Sequence, residues 1–88
     1  MAWTIDYSRA AKARLKKLNR NTARRITEYM DERVASLDNP RSRGKALSGP
    51  YSGYWRYRVG DYRVICDIQD GALCILALAV ERRDKVYR

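Results

Sequence analysis

The sequence predicts an α+β domain in the order β-α-α-β-β-β, with two N-terminal helices packed on one face of a mostly antiparallel four-stranded sheet. Three observations carry this. Apolar residues recur at helical spacing in two blocks between Arg9 and Leu37. From Tyr54 to Ile65 they alternate with arginines about a Gly60-Asp61 pair, the period-two pattern of a hairpin. The stretch Ala72 to Val80, ALCILALAV, is apolar on both faces, as a central strand is.

Trp3 to Tyr7 alternates and reads as a short first strand. Ser8 offers an N-cap to a helix from Arg9 to Leu18, whose face is Ala11, Leu15 and Leu18. Asn19 to Asn21 breaks the pattern. Asn21 or Thr22 then caps a second helix with the stripe Ala23, Ile26, Met30, Val34 and Leu37, and Asn39-Pro40 ends it. Arg41 to Ser52, rich in Gly and Pro, reads as loop anchored by Leu47.

Gly60-Asp61 fits a type II′ turn, and a two-residue turn sets the register: Val59 faces Tyr62, Arg58 faces Arg63, Tyr57 faces Val64 and Arg56 faces Ile65. A second two-residue turn at Asp70-Gly71 would place Cys66 opposite Ile75 and Cys74 opposite Asp67, on different faces, so the thiols should not bridge. The helices should cover the face bearing Trp55, Tyr57, Val64, Cys66 and Ile75. The other face is left open with Arg56, Arg58 and Arg63. Arg58 opposite Arg63 is a repulsive pair that an anion would relieve. Either the side chains splay into water, or the anion is a ligand, since guanidinium forks grip phosphate oxygens in pairs.

The 88 residues form a single domain, 1–88, with a formal charge of +9. Six basic residues against one acid lie between Arg41 and Ile65, which points to a polyanionic partner, nucleic acid before membrane. No run is apolar and long enough for a signal peptide or a membrane span, so a cytoplasmic protein is expected. With no His, a histidine acid-base pair, a Ser-His-Asp triad and an adequate zinc ligand set are excluded. Neither a metal nor a cofactor is expected. What remains is phosphate chemistry run by cations and phenols: Arg56, Arg58 and Arg63 on the sheet, Arg41, Arg43 and Lys45 in the loop, and a tail in which Tyr87 stands among Arg82, Arg83, Lys85 and Arg88.

The loop ending Gly49-Pro50-Tyr51, the segment Tyr54-Trp-Arg-Tyr-Arg-Val-Gly-Asp-Tyr-Arg-Val-Ile65 and the ending Arg82-Arg-Asp-Lys-Val-Tyr-Arg88 together resemble the RelE/ParE superfamily of microbial toxins, and within it the RelE-type members. The resemblance spans the chain. It implies a type II toxin held silent by an antitoxin in a hetero-oligomer, a metal-independent endoribonuclease that enters the ribosomal A site and cuts mRNA by attack of a 2′-hydroxyl on the adjacent phosphate. By position it implies that Arg63 binds the scissile phosphate, Arg83 lies near the leaving group and Tyr87 stacks on or orients the nucleotide. Supporting catalytic charge from Arg56 and Arg58, and RNA contacts from Arg41, Arg43, Lys45, Arg82 and Arg88, are expected from the basic charge of the sheet face, the loop and the tail. Arg56 and Arg58 stand where the best-known members have lysines, so charge stabilisation survives but the general base is unassigned. Glu81 stands where members often have Gly, and Arg82 where many have His. Two alternatives are a ParE-type inhibitor of DNA gyrase and a non-catalytic, basic nucleic-acid-binding module. Cut mRNA, lost supercoiling or salt-sensitive binding alone separates the three.

Overall fold

The computed structural model describes residues 3–82. Its sheet has five strands in the order β1-β5-β4-β3-β2: β1 Thr4–Tyr7, β2 Lys45–Ala46, β3 Trp55–Val59, β4 Tyr62–Gln69 and β5 Cys74–Arg82. Only the β1–β5 pair is parallel. The strand beyond the expected four is β2. It is two residues long, too short for a periodic signal, and forms because part of the Gly-rich loop lies along β3.

Helix α1 spans Arg9–Lys17 and starts as read, with the Ser8 hydroxyl accepting from the Ala11 amide at 3.0 Å. Helix α2 spans Arg20–Glu28 and starts earlier than expected. Its cap is Asn19, whose side chain accepts from the Asn21 amide at 2.8 Å, so the polar residues read as a break are the cap itself. The chain continues into a π-helical stretch, Tyr29–Val34, closed by an Ala35 amide to Met30 carbonyl bond of 3.0 Å. Ile26, Met30 and Val34 are fully buried, as the stripe predicts. They pack on Tyr57, Val64, Cys66, Ile75 and Ala77, so the helices take the expected face of the sheet.

The loop is held otherwise than read. Leu47 is only half-buried, whereas Pro40 is fully buried and its carbonyl accepts the hydroxyl of buried Tyr57 at 2.6 Å. A buried phenol needs such a partner, and the bond ties the end of the helical segment to the hairpin.

The hairpin register matches every expected pair, and Gly60 has the positive φ of 59° that a type II′ turn requires. The next turn does not match. Residues 70–72 form a 3₁₀ turn, followed by Leu73 in the left-handed region at φ 49°. Four residues thus make the turn, so Cys66 faces Ala77 and Cys74 faces Gln69. A shift of two preserves side-chain parity. Cys66 is therefore buried, Cys74 lies on the other face, and both are free thiols.

A β-bulge then adds one residue to β5: Cys66 pairs with Ala77, but Ile65 pairs with Ala79. Leu78 is the extra residue, and its carbonyl accepts the Ser8 hydroxyl at 2.8 Å. This odd shift exchanges the faces of everything beyond it. Val80 turns into the core opposite Val64, and Glu81 comes to the open face opposite Arg63.

Candidate functional site

The open face carries a row across three strands, Arg58 on β3, Arg63 on β4 and Glu81 on β5. The Arg63 Nε and Nη2 groups donate to Glu81 Oε1 at 3.2 and 2.9 Å. This changes the reading of the hairpin: the anion that offsets Arg58 opposite Arg63 is supplied by the chain itself. The Arg63 side chain is 16% exposed and that of Glu81 35%. Glu81 Oε2 and Arg63 Nη1 make no hydrogen bond among the described residues.

Beside this row, Lys45, Arg56, Arg58 and Gly44 line a cleft of about 210 Å³. Lys45 pairs with Arg56 in the β2–β3 register. Gly44 is what lets the loop come so close: at φ 78°, a Cβ there would stand 2.2 Å from the Arg56 carbonyl oxygen and 2.7 Å from the Trp55 indole nitrogen. The Trp55 N–H in turn donates to the Arg43 carbonyl at 2.7 Å, which seats the cationic end of the loop. Among the described residues, Lys45, Arg56 and Arg58 have no ion pair.

The other site residues separate. Arg43 is exposed and immediately precedes Gly44 of the cleft lining. Arg41 stands apart: it makes two bonds to Asp70, at 3.0 and 2.9 Å, which hold the Asp70 carboxyl below its usual range and raise Arg41. Asp70 follows the far end of β4, roughly 20 Å of strand from Arg63 at about 3.3 Å per residue. Arg82 lies over the Tyr62 ring, 5.9 Å from its centroid. Arg83, Tyr87 and Arg88 lie outside the described residues.

Sequence reasoning missed Glu81 as the partner of Arg63. It also passed over Tyr51 and Tyr54, which are 40% and 37% exposed. Tyr54 extends the β2–β3 pairing through its carbonyl, which accepts the Leu47 amide at 3.0 Å, next to the Lys45–Arg56 pair. Aromatic residues interleaved with arginine were the available signal, since bases stack on such rings.

The family description "ParE toxin of type II toxin-antitoxin system, parDE" matches residues 5–87. Toxin RelE of Mycobacterium tuberculosis is 32% identical over 77 residues, covering 76% of this chain and 79% of that protein. The chain belongs to the RelE/ParE superfamily of type II toxin–antitoxin toxins. Solved structures share the superfamily fold. The toxin–antitoxin complex RelBE2 of Mycobacterium tuberculosis matches with a TM-score of 0.85 at 24% identity, over 94% of this chain and 93% of that one. The archaeal RelE–RelB complex of Pyrococcus horikoshii matches at 0.73 and 26% identity, over 94% and 97%. A ParDE system from P. aeruginosa matches at 0.70 and 14% identity, over 92% and 96%. No helix of the described residues is long and apolar enough to cross a membrane.

Proposed function

We propose that this RelE/ParE superfamily toxin is a ribosome-dependent endoribonuclease that cleaves mRNA in the A site and is silenced by a cognate antitoxin. The observation that carries the reading is the cleft of Lys45, Arg56 and Arg58 beside Arg63, cations gathered on one open sheet face with the exposed Tyr54 next to the Lys45–Arg56 pair. Such a surface suits a single-stranded polyanion whose bases can stack. The RNA supplies its own nucleophile, so the protein has to align the 2′-hydroxyl with the phosphate, stabilise developing charge and move protons.

In this reading Arg63 holds the scissile phosphate and Arg56 and Arg58 stabilise the charge that builds on it. Arg83 acts near the leaving group, and Tyr87 stacks on or orients the nucleotide. Lys45, Arg43, Arg82 and Arg88 hold the flanking RNA. Arg41, committed to Asp70, contributes long-range charge and no fork. The antitoxin neutralises the basic face, as the partners in the RelBE2 and RelE–RelB complexes accompany their toxins.

The test is a reconstituted translation reaction in which mRNA is recovered and its 5′ ends are mapped. Synthesis that stops with mRNA cut at the A-site codon is the expected result; intact mRNA overturns it. Inhibition of DNA gyrase is the second reading, favoured by the ParE description that matches residues 5–87, and loss of supercoiling activity with intact mRNA would establish it. Co-expression of the antitoxin should restore growth, and growth equal with and without it would count against the partner.

A further inference from the structure

The open face offers cations to a phosphate but, among them, no proton acceptor. Arginine stays protonated, and lysine becomes a base when buried, whereas Lys45 is exposed. The carboxylate of Glu81 is different in kind. It faces Arg63 directly, and Arg63 uses two donors on a single oxygen, Oε1, leaving Oε2 unbonded among the described residues. Arg63 likewise keeps Nη1. Two donors on one oxygen put Nη1 on the side of the guanidinium away from Oε1, so a phosphate would reach Arg63 through Nη1 and the outer edge of Nη2, and a hydroxyl on Oε2 would meet it across groups already fixed relative to each other by 2.9 and 3.2 Å bonds.

Resting on the RNA-cleavage reading, we infer that Glu81 is the general base of the reaction. Oε2 takes the proton of the 2′-hydroxyl as O2′ forms its bond to phosphorus. The P–O5′ bond breaks with its electron pair going to O5′, which takes a proton from water. Glu81 returns its proton to the solvent, leaving a 2′,3′-cyclic phosphate and a 5′-hydroxyl. Arg63 then has two tasks, holding the phosphate and fixing the carboxylate that serves it.

Glu81→Gln separates this role from a structural one, because the amide oxygen still accepts from Arg63 while the base is lost. In single-turnover cleavage on programmed ribosomes at saturating toxin, Glu81→Gln should lose about 10²–10⁴-fold in rate, with ribosome affinity unchanged. Glu81→Asp should recover part of the rate. Glu81→Ala should regain cleavage with added formate, a response that a packing or charge-balancing role does not produce. Glu81→Gln cleaving at the wild-type rate, a loss confined to affinity, or Glu81→Ala indifferent to formate would each overturn the inference and leave the nuclease reading standing. Wild-type protein that cuts no mRNA would overturn both.

Discussion

The Ser8 hydroxyl donates to the Leu78 carbonyl at 2.8 Å while its oxygen accepts from the Ala11 amide at 3.0 Å. One side chain thus caps α1 and satisfies the carbonyl that the β5 bulge leaves out of the ladder. That bulge is what brings Glu81, three residues on, to Arg63. Ser8→Ala should cost about 1–2 kcal/mol as a lost cap. It should also lower RNA cleavage at a temperature where the fold persists, because the Arg63–Glu81 register loosens. Urea unfolding and single-turnover rates would check this; a variant that loses stability but keeps its full rate would disconnect the bulge from the site.

Judged from the hairpin alone, Arg63→Ala relieves repulsion with Arg58 and leaves stability equal or higher. The bonds to Glu81 reverse the sign. The substitution removes a partly buried ion pair and strands the Glu81 carboxylate, so stability should fall by about 1 kcal/mol, and cleavage by orders of magnitude. A thermal midpoint at or above wild type would return the side chain to the hairpin-only account.

Gly44→Ala should damage the cleft without touching a charge. The new Cβ meets backbone at 2.2 Å, and φ of 78° is strained for any residue with a side chain. The loop must swing off β3, with a loss of about 1–3 kcal/mol and of the β2 pairing. Weakened, less salt-sensitive RNA binding in a protein that still folds is the expected readout, and unchanged binding would remove the cleft from the RNA path.

Stability should fall in alkali. Burial, with Asp67 nearby, pushes the Cys66 thiol up to about 12. The unfolded thiol ionises near pH 9, so this contribution is complete below that pH and is lost as pH rises from about 9 to 12, where the unfolded chain holds fewer protons than the native one. The phenols of half-buried Tyr7, which donates to Asp31, and of buried Tyr57 are also raised and act in the same direction. Urea midpoints at pH 8, 9 and 10 should decline in order, and Cys66→Ala should flatten the first part of the decline. Native protein should likewise leave Cys66 unmodified by a thiol reagent at pH 8.

Tyr87→Phe keeps the ring and removes the hydroxyl. With Glu81 as base, the loss in cleavage rate should stay below about tenfold, since stacking survives, whereas proton transfer by Tyr87 would give roughly 10²-fold or more. The larger figure would move the base from Glu81 to the tail.

What the sequence determined by itself is what short-range physics settles. Alternation from Tyr54 to Ile65 and the Gly60-Asp61 turn set the hairpin register, because a two-residue turn leaves the flanking residues no other pairing, and the arginine face followed from it. The helical stripe and the Ser8 cap were legible for the same reason: each depends on residues within one or two turns. The family resemblance rests on the hairpin as well, together with the loop before it and the ending Arg82 to Arg88.

The tertiary structure decided the partner of Arg63. Asp70-Gly71 is compatible with turns of two or four residues, and nothing nearby chooses between them. The folded turn and bulge come with distant contacts that no local pattern signals: Arg41 engages the Asp70 carboxylate, and Ser8, 70 positions away in the chain, donates to the Leu78 carbonyl. A two-residue turn without the bulge would have set Leu78 opposite Arg63 and left Glu81 elsewhere. Two extra turn residues and one bulged residue move the pairing by three, which buries Val80 against Val64 and brings a carboxylate to the arginine row. Side chains on a strand alternate, so a single inserted residue exchanges core for solvent, and only the packing of the whole sheet determines where that residue goes.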